Sequence, residues 1–123
     1  MLDLTALINY PVLMLPKNDD FQSEDVSLSL LGVTQIQDAA QMIKVIPENV
    51  DLLIVDNYAL DKIWHKQLRL HVKKIMVIDD LANKQFDCDV LLNQNLGSQK
   101  KDYQDKVPND CELLLGCDHA LLR

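Results

Sequence analysis

Two short stretches constrain this chain more than any other feature. Asp51-Leu52-Leu53-Ile54-Val55-Asp56 and Lys74-Ile75-Met76-Val77-Ile78-Asp79-Asp80 are continuous apolar runs closed by carboxylates. Neither alternates apolar with polar residues, so neither suits a strand with one wet face. Each suits a strand covered on both faces, which is the habit of parallel sheets. Shorter runs at 89–92 and 112–115 read the same way, and Tyr10-Pro11-Val12-Leu13-Met14-Leu15-Pro16 reads as a short buried strand between prolines. Strands are therefore expected at 12–15, 52–55, 75–78, 90–92 and 113–115, alternating with helices. That order implies an α/β fold, a Rossmann-like, mostly parallel sheet flanked by helices, within one domain over residues 1–123.

The helix signals are local. Thr34 with Gln37 fits a capping box, Ile36, Ala39, Ala40 and Ile43 follow at helical spacing, and Pro47 closes the segment. Asp61 can cap a second helix that turns Trp64 and Leu68 inward. Lys62, Lys66, Arg69 and Lys73 recur along one face of it, which reads as a solvated face rather than an anion site. A short helix at 2–9, a surface loop at 17–25 and an extended piece at 28–30 complete the reading.

Composition excludes several functions. The chain has 12 Lys+Arg against 19 Asp+Glu, a net charge of −7, which opposes general binding to nucleic acid or to an anionic membrane. Gly32, Gly97 and Gly116 are too far apart to write a phosphate-cradling loop. The three cysteines, Cys88, Cys111 and Cys117, are an odd number with no basic leader before them, so reduced thiols in the cytoplasm are expected. Cys111, Cys117 and His119 lack the spacing of a zinc site, and neither a metal nor a cofactor is expected. His65, His71 and His119 read as surface residues.

Ligands of an open parallel sheet sit beyond the carboxyl ends of its strands. That rule selects Asp56-Asn57-Tyr58, Asp79-Asp80 and Asn93-Gln94-Asn95, which should converge on one edge as a polar cleft. Asp56 and Asp79 can equally cap the turns after their strands, Tyr58 can be a half-buried wedge, and Asn93 and Asn95 can satisfy loop backbone.

The segments L-L-I-V-D-N-Y-A-L-D-x-x-W (52–64), I-D-D-L-A-N (78–83), C-D-V-L-L-N-Q-N-L-G (88–97) and L-L-L-G-C-D-H-A-L-L-R (113–123) occur in that order, with Tyr103 and Val107-Pro108 between the last two. Together they resemble the UDP-sugar hydrolases of pseudaminic acid biosynthesis, which are related in fold to MurG-type glycosyltransferases. The resemblance covers residues 51–123 and implies an incomplete N-terminal domain of a two-domain GT-B type fold. The implied reaction is release of UDP from a diacetamido-trideoxy-altrose nucleotide by water attacking the anomeric carbon. It implies Tyr58 as the catalytic residue, within the segment Asp56-Asn57-Tyr58-Ala59, with Asn57 where the family usually has histidine; Asp56, Asn57, Asp79, Asp80, Asn93 and Asn95, selected by the strand-end rule, are then expected to bind the UDP-sugar substrate. The family's catalytic histidine, in a Gly-rich turn near its N-terminus, and its UDP-binding C-terminal domain find no counterpart here. A fragment inactive on its own is therefore expected. Strands 12–15 and 52–55 would then lack their usual neighbours, so a homodimer or a complementing polypeptide is expected to cover the open edge.

The alternative is a phosphoacceptor receiver domain. Its acceptor would be Asp56, its acidic pair Asp19-Asp20 and its lysine Lys106.

Overall fold

The structure, a computed structural model, describes residues 10–15 and 31–121. In order, these form α1 (Gln35–Val45), β1 (Val50–Val55), α2 (Lys62–Leu68), β2 (Val72–Ile78), β3 (Val90–Asn93) and β4 (Glu112–Leu115). Short 3-10 turns at Lys100–Asp102 and Cys117–His119 flank the last strand. The strands make one sheet in the order β1-β2-β3-β4, every neighbouring pair parallel. This is the α/β, Rossmann-like arrangement that the apolar runs predict.

Local chemistry sets the helix ends. The Thr34 hydroxyl accepts from the Gln37 amide at 3.1 Å while the Gln37 side chain accepts from the Thr34 amide at 3.0 Å, a complete capping box. The helix stops before Pro47, which disfavours helical backbone in the residue ahead of it. Asp61 caps α2 by accepting from the Ile63 amide, and Trp64 and Leu68 are buried as expected.

The inward stripe of α1 is rotated from the expected one. Ile36 is 58% exposed and Ala40 is exposed, whereas Gln35, Asp38 and Ala39 are buried and Met42 and Ile43 pack on the core. Two polar residues take the place of apolar ones because α2 supplies their partners. Gln35 Oε1 accepts from the Asp61 amide, and Asp38 Oδ1 accepts from the Trp64 indole at 2.8 Å.

Register then decides which side of the sheet is dry. Val55, Val77, Leu91 and Leu113 are successive partners across all four strands, and the first three are buried. Together with Trp64, Leu68, Ile75 and Tyr103 they form the core. The alternate row runs Ile54, Met76, Val90 and Glu112, and it is much wetter. Leu52 is 49% and Ile54 55% exposed, so β1 is covered on one face rather than the expected two. Helices α1 and α2 pack against each other and place Ala39, Trp64 and Leu68 in one cluster with Val55, Val77 and Leu91, while the outward side chains of β1 stay uncovered among the described residues.

Other expectations are corrected. Residues 12–15 are not a strand: they form no ladder, and Val12, Leu13 and Met14 are exposed. Flanking prolines fix φ and remove donors, and an apolar run becomes a strand only where a neighbour takes its hydrogen bonds. The basic stripe also dissolves. Arg69 pairs with Asp87 and Asp89, Lys62 reaches Gln85, and Lys73 belongs to β2, where it meets Asp51. No α-helix separates β2 from β3 or β3 from β4; the connections are turns and the Lys100–Asp102 3-10 turn. The expected helix at 2–9, loop at 17–25 and extended piece at 28–30 lie outside the described residues, as does Asp19-Asp20.

His65 is the clearest reversal. His71 and His119 are exposed, but His65 is 0% exposed, beside Trp64 and Phe86. Its Nδ1 accepts from the Asp87 amide at 3.2 Å, and its Nε2 has no hydrogen-bond partner. Burial pushes its pKa down to about 4, against the opposing pull of Asp61 and Asp87.

Candidate functional site

The carboxyl ends of β1, β2 and β3 meet in a cleft of about 170 Å³ lined by Asp56, Tyr58, Ile78, Asp79, Asp80, Gln94 and Asn95. Parallel pairing forces this convergence, because strands that run together also end together. Three separate turns deliver the polar residues.

After β1 the chain folds back on itself. Asn57 Oδ1 accepts from the Ala59 amide at 2.8 Å, and the Asn57 carbonyl accepts from the Leu60 amide at 3.2 Å. This Asx-type turn buries Ala59 and Leu60 and leaves Tyr58 projecting, 52% exposed. Asn57 therefore shapes the turn and does not line the cleft. The Tyr58 hydroxyl donates to Asp80 Oδ1 at 2.6 Å, while Lys84 Nζ donates to the Tyr58 carbonyl at 2.7 Å. The hydrogen bond to Asp80, followed by partial desolvation and the charges of Asp80, Asp79 and Asp56, raises the Tyr58 pKa above that of an ordinary phenol. Tyr58 is thus a protonated donor held against a carboxylate.

After β2, Asp79 turns inward. Its Oδ2 accepts from the Tyr103 hydroxyl at 2.8 Å and from the Ala82 amide at 2.9 Å. The second contact closes a turn in which Ala82 sits at φ 51°, the left-handed region. After β3, the buried Asn93 donates from Nδ2 to the Tyr103 hydroxyl at 3.0 Å and accepts from the Asn95 amide at 3.0 Å. Burial and the neighbouring Asp79 push the Tyr103 pKa up. Gln94 Oε1 accepts from the Leu121 amide at 2.7 Å.

The predicted residues thus fall into two groups. Asp56, Tyr58, Asp80 and Asn95 are exposed and face the cleft, and only one edge of Asp79 reaches it. Asn57, Asn93 and most of Asp79 are committed to the turns that hold the others. Tyr103 went unassigned in the sequence, although it is the hub joining Asp79 to Asn93. Its signal was a single aromatic residue in an otherwise polar stretch between β3 and β4, where burial is the natural explanation.

In charge the cleft lining is acidic: Asp56, Asp79 and Asp80 are among its residues and no lysine, arginine or histidine is, while Lys84 Nζ reaches the adjoining Tyr58 carbonyl. Its polar groups are mainly acceptors, suited to N–H and O–H donors or to developing positive charge, and unsuited to a diphosphate. Among the described residues no group of three or more His, Cys, Asp or Glu side chains could hold a metal ion, and no helix is long and apolar enough to cross a membrane. Lys106 lies apart from Asp56. Its Nζ donates to the Asp102 carbonyl, and it lines a different cleft with Lys62 and Lys66.

No family model matches the chain. A curated UDP-2,4-diacetamido-2,4,6-trideoxy-beta-L-altropyranose hydrolase from Campylobacter jejuni is 38% identical over 77 residues. That match takes in 62% of this chain but spans only 28% of the length of the relative. The chain is therefore similar over part of its length to a UDP-sugar hydrolase.

Proposed function

We propose that this chain forms part of the first, Rossmann-like domain of a GT-B type UDP-sugar hydrolase, with its acidic cleft facing the sugar rather than the diphosphate. The observation that carries the reading is the Tyr58–Asp80 pair at the converging strand ends, in a chain 38% identical over 77 residues to such a hydrolase. A diacetamido sugar presents amide N–H and hydroxyl donors, and Asp56, Asp80 and Asn95 present acceptors. Carboxylates beside the anomeric carbon also stabilise the positive charge that builds there as UDP departs. Tyr58, its proton directed at Asp80, keeps oxygen lone pairs available to orient the attacking water or a sugar hydroxyl. A diphosphate needs cationic or backbone donors, and the carboxylates lining this cleft repel it. General-base assistance is worth roughly 10²–10⁴-fold, and leaving-group stabilisation is often larger. The chain by itself is accordingly a binding wall and not a catalyst.

Amide NMR spectra test this reading. A 2,4-diacetamido sugar or its UDP conjugate should shift the signals of Asp56, Tyr58, Asp80 and Asn95, UDP alone should leave them in place, and no UDP should be released. UDP release lost on Tyr58→Phe would show a complete catalyst. Shifts around Asp56 with Mg²⁺ and beryllofluoride, and none with sugar, would favour a phosphoacceptor domain instead.

A further inference from the structure

At the opposite end of the sheet, two thiols touch. Cys88 precedes β3, Cys111 precedes β4, and their Sγ atoms are 3.7 Å apart. The backbone at that point is already at sheet spacing, since the Glu112 amide donates to the Asp89 carbonyl at 2.9 Å and Val90 pairs with Glu112. The two sulfurs have to close only roughly 1.7 Å to reach a bond of about 2 Å.

Access is asymmetric. Cys88 is buried, whereas Cys111 is half-buried and lines an open cleft of about 350 Å³ that also holds Lys100 and Lys101. Cys117, beyond the far end of β4, is exposed and stands as an internal control.

We propose that Cys88 and Cys111 form a reversible oxidation site, at which a small peroxide converts the dithiol into an intramolecular disulfide tying β3 to β4. The Cys111 thiolate attacks an oxygen of hydrogen peroxide, the O–O bond breaks, and the departing hydroxide takes up the proton the thiol released, so that a sulfenic acid and one water result. Cys88 then attacks the Cys111 sulfur, the S–O bond breaks, and the departing hydroxide takes the Cys88 proton as a second water. Two thiols lose two electrons in total, and the peroxide gains them. The contact itself prepares these roles: the hydrogen bond between the sulfurs lowers the Cys111 pKa and raises that of Cys88, so the accessible thiol is the more ionised one.

Peroxide treatment of the purified chain, followed by denaturation, alkylation and peptide mass mapping, tests the site. Two of the three thiols should become unavailable, a Cys88–Cys111 link should appear, and reduction should restore all three. The link should persist in Cys117→Ser. In Cys88→Ser, with its fold checked by circular dichroism, oxidation of Cys111 should stop at a sulfenic acid trapped by dimedone. Should that variant unfold, the wild-type map and Cys117→Ser decide. Oxidation confined to Cys117, with Cys88 and Cys111 still alkylated, would overturn the proposal.

Discussion

The Tyr58 hydroxyl and Asp80 Oδ1 lie 2.6 Å apart, joining the turn after β1 to the turn after β2 across the mouth of the cleft. Neither residue is buried, so the contact joins two exposed side chains rather than filling a core. Its consequence is chemical: the phenol keeps its proton, with the proton directed at a carboxylate.

Ionisation of Tyr58 should therefore occur above the ordinary phenol range. In Asp80→Asn the accepting charge is gone, and the transition should move back towards lower pH. Ultraviolet titration of tyrosinate absorbance in the two proteins, with Tyr58→Phe to assign the step, measures the shift. Identical titration curves for wild type and Asp80→Asn would show that the pair does not persist in solution.

Protonation of His65 should destabilise the fold well above the pH at which carboxylates titrate. The buried imidazole has a pKa of about 4 against an ordinary 6.5, so the unfolded chain binds the proton first. Stability is complete above about pH 6.5 and is lost as pH falls towards 4. The drop between pH 7 and pH 5 should be about 2 kcal/mol, from the pKa difference alone. Urea unfolding at the two pH values reads it, and His65→Gln should flatten the dependence over that interval.

Removal of the Asp38 carboxylate should cost more than its place on a surface-like helix suggests. Asp38 accepts the buried Trp64 indole N–H at 2.8 Å and joins α1 to α2. Asp38→Ala leaves that donor without a partner, a loss of about 1–3 kcal/mol. Asp38→Asn retains an acceptor oxygen and should lose less. Denaturant midpoints of the three proteins give the ranking.

Tyr103→Phe should loosen the cleft from behind. The variant removes the hydroxyl that donates to Asp79 and accepts from Asn93, leaving buried polar atoms short of partners at about 1–3 kcal/mol. Amide signals at residues 79–82 and 93–95 should move, because Asp79 and Asn93 close those turns. Unchanged stability and spectra would show that the three residues are not a brace.

Much of the fold was legible in local patterns. The four runs that became β1 to β4, the Thr34–Gln37 box, the Asp61 cap and the stop before Pro47 all depend on residues within a few positions of one another. So does the convergence of Asp56, Asp79 and Asn93, which follows once the strands are parallel. The run at 12–15 carried the same apolar signal and failed, since composition does not report whether a neighbouring strand is there to pair with.

What the sequence by itself determined is where strands and helices start and stop, and that acidic turns gather at one end of the sheet. Periodicity, capping and proline geometry act over one or two turns of chain, so near neighbours suffice to state them. Only the tertiary structure decided which polar residues are buried and what they hold. His65 meets Asp87 across 22 positions, Asp38 meets Trp64 across 26, and Tyr103 meets Asp79 across 24. A buried polar group is tolerated only when a partner satisfies it, and partners that far apart along the chain are brought together by packing alone.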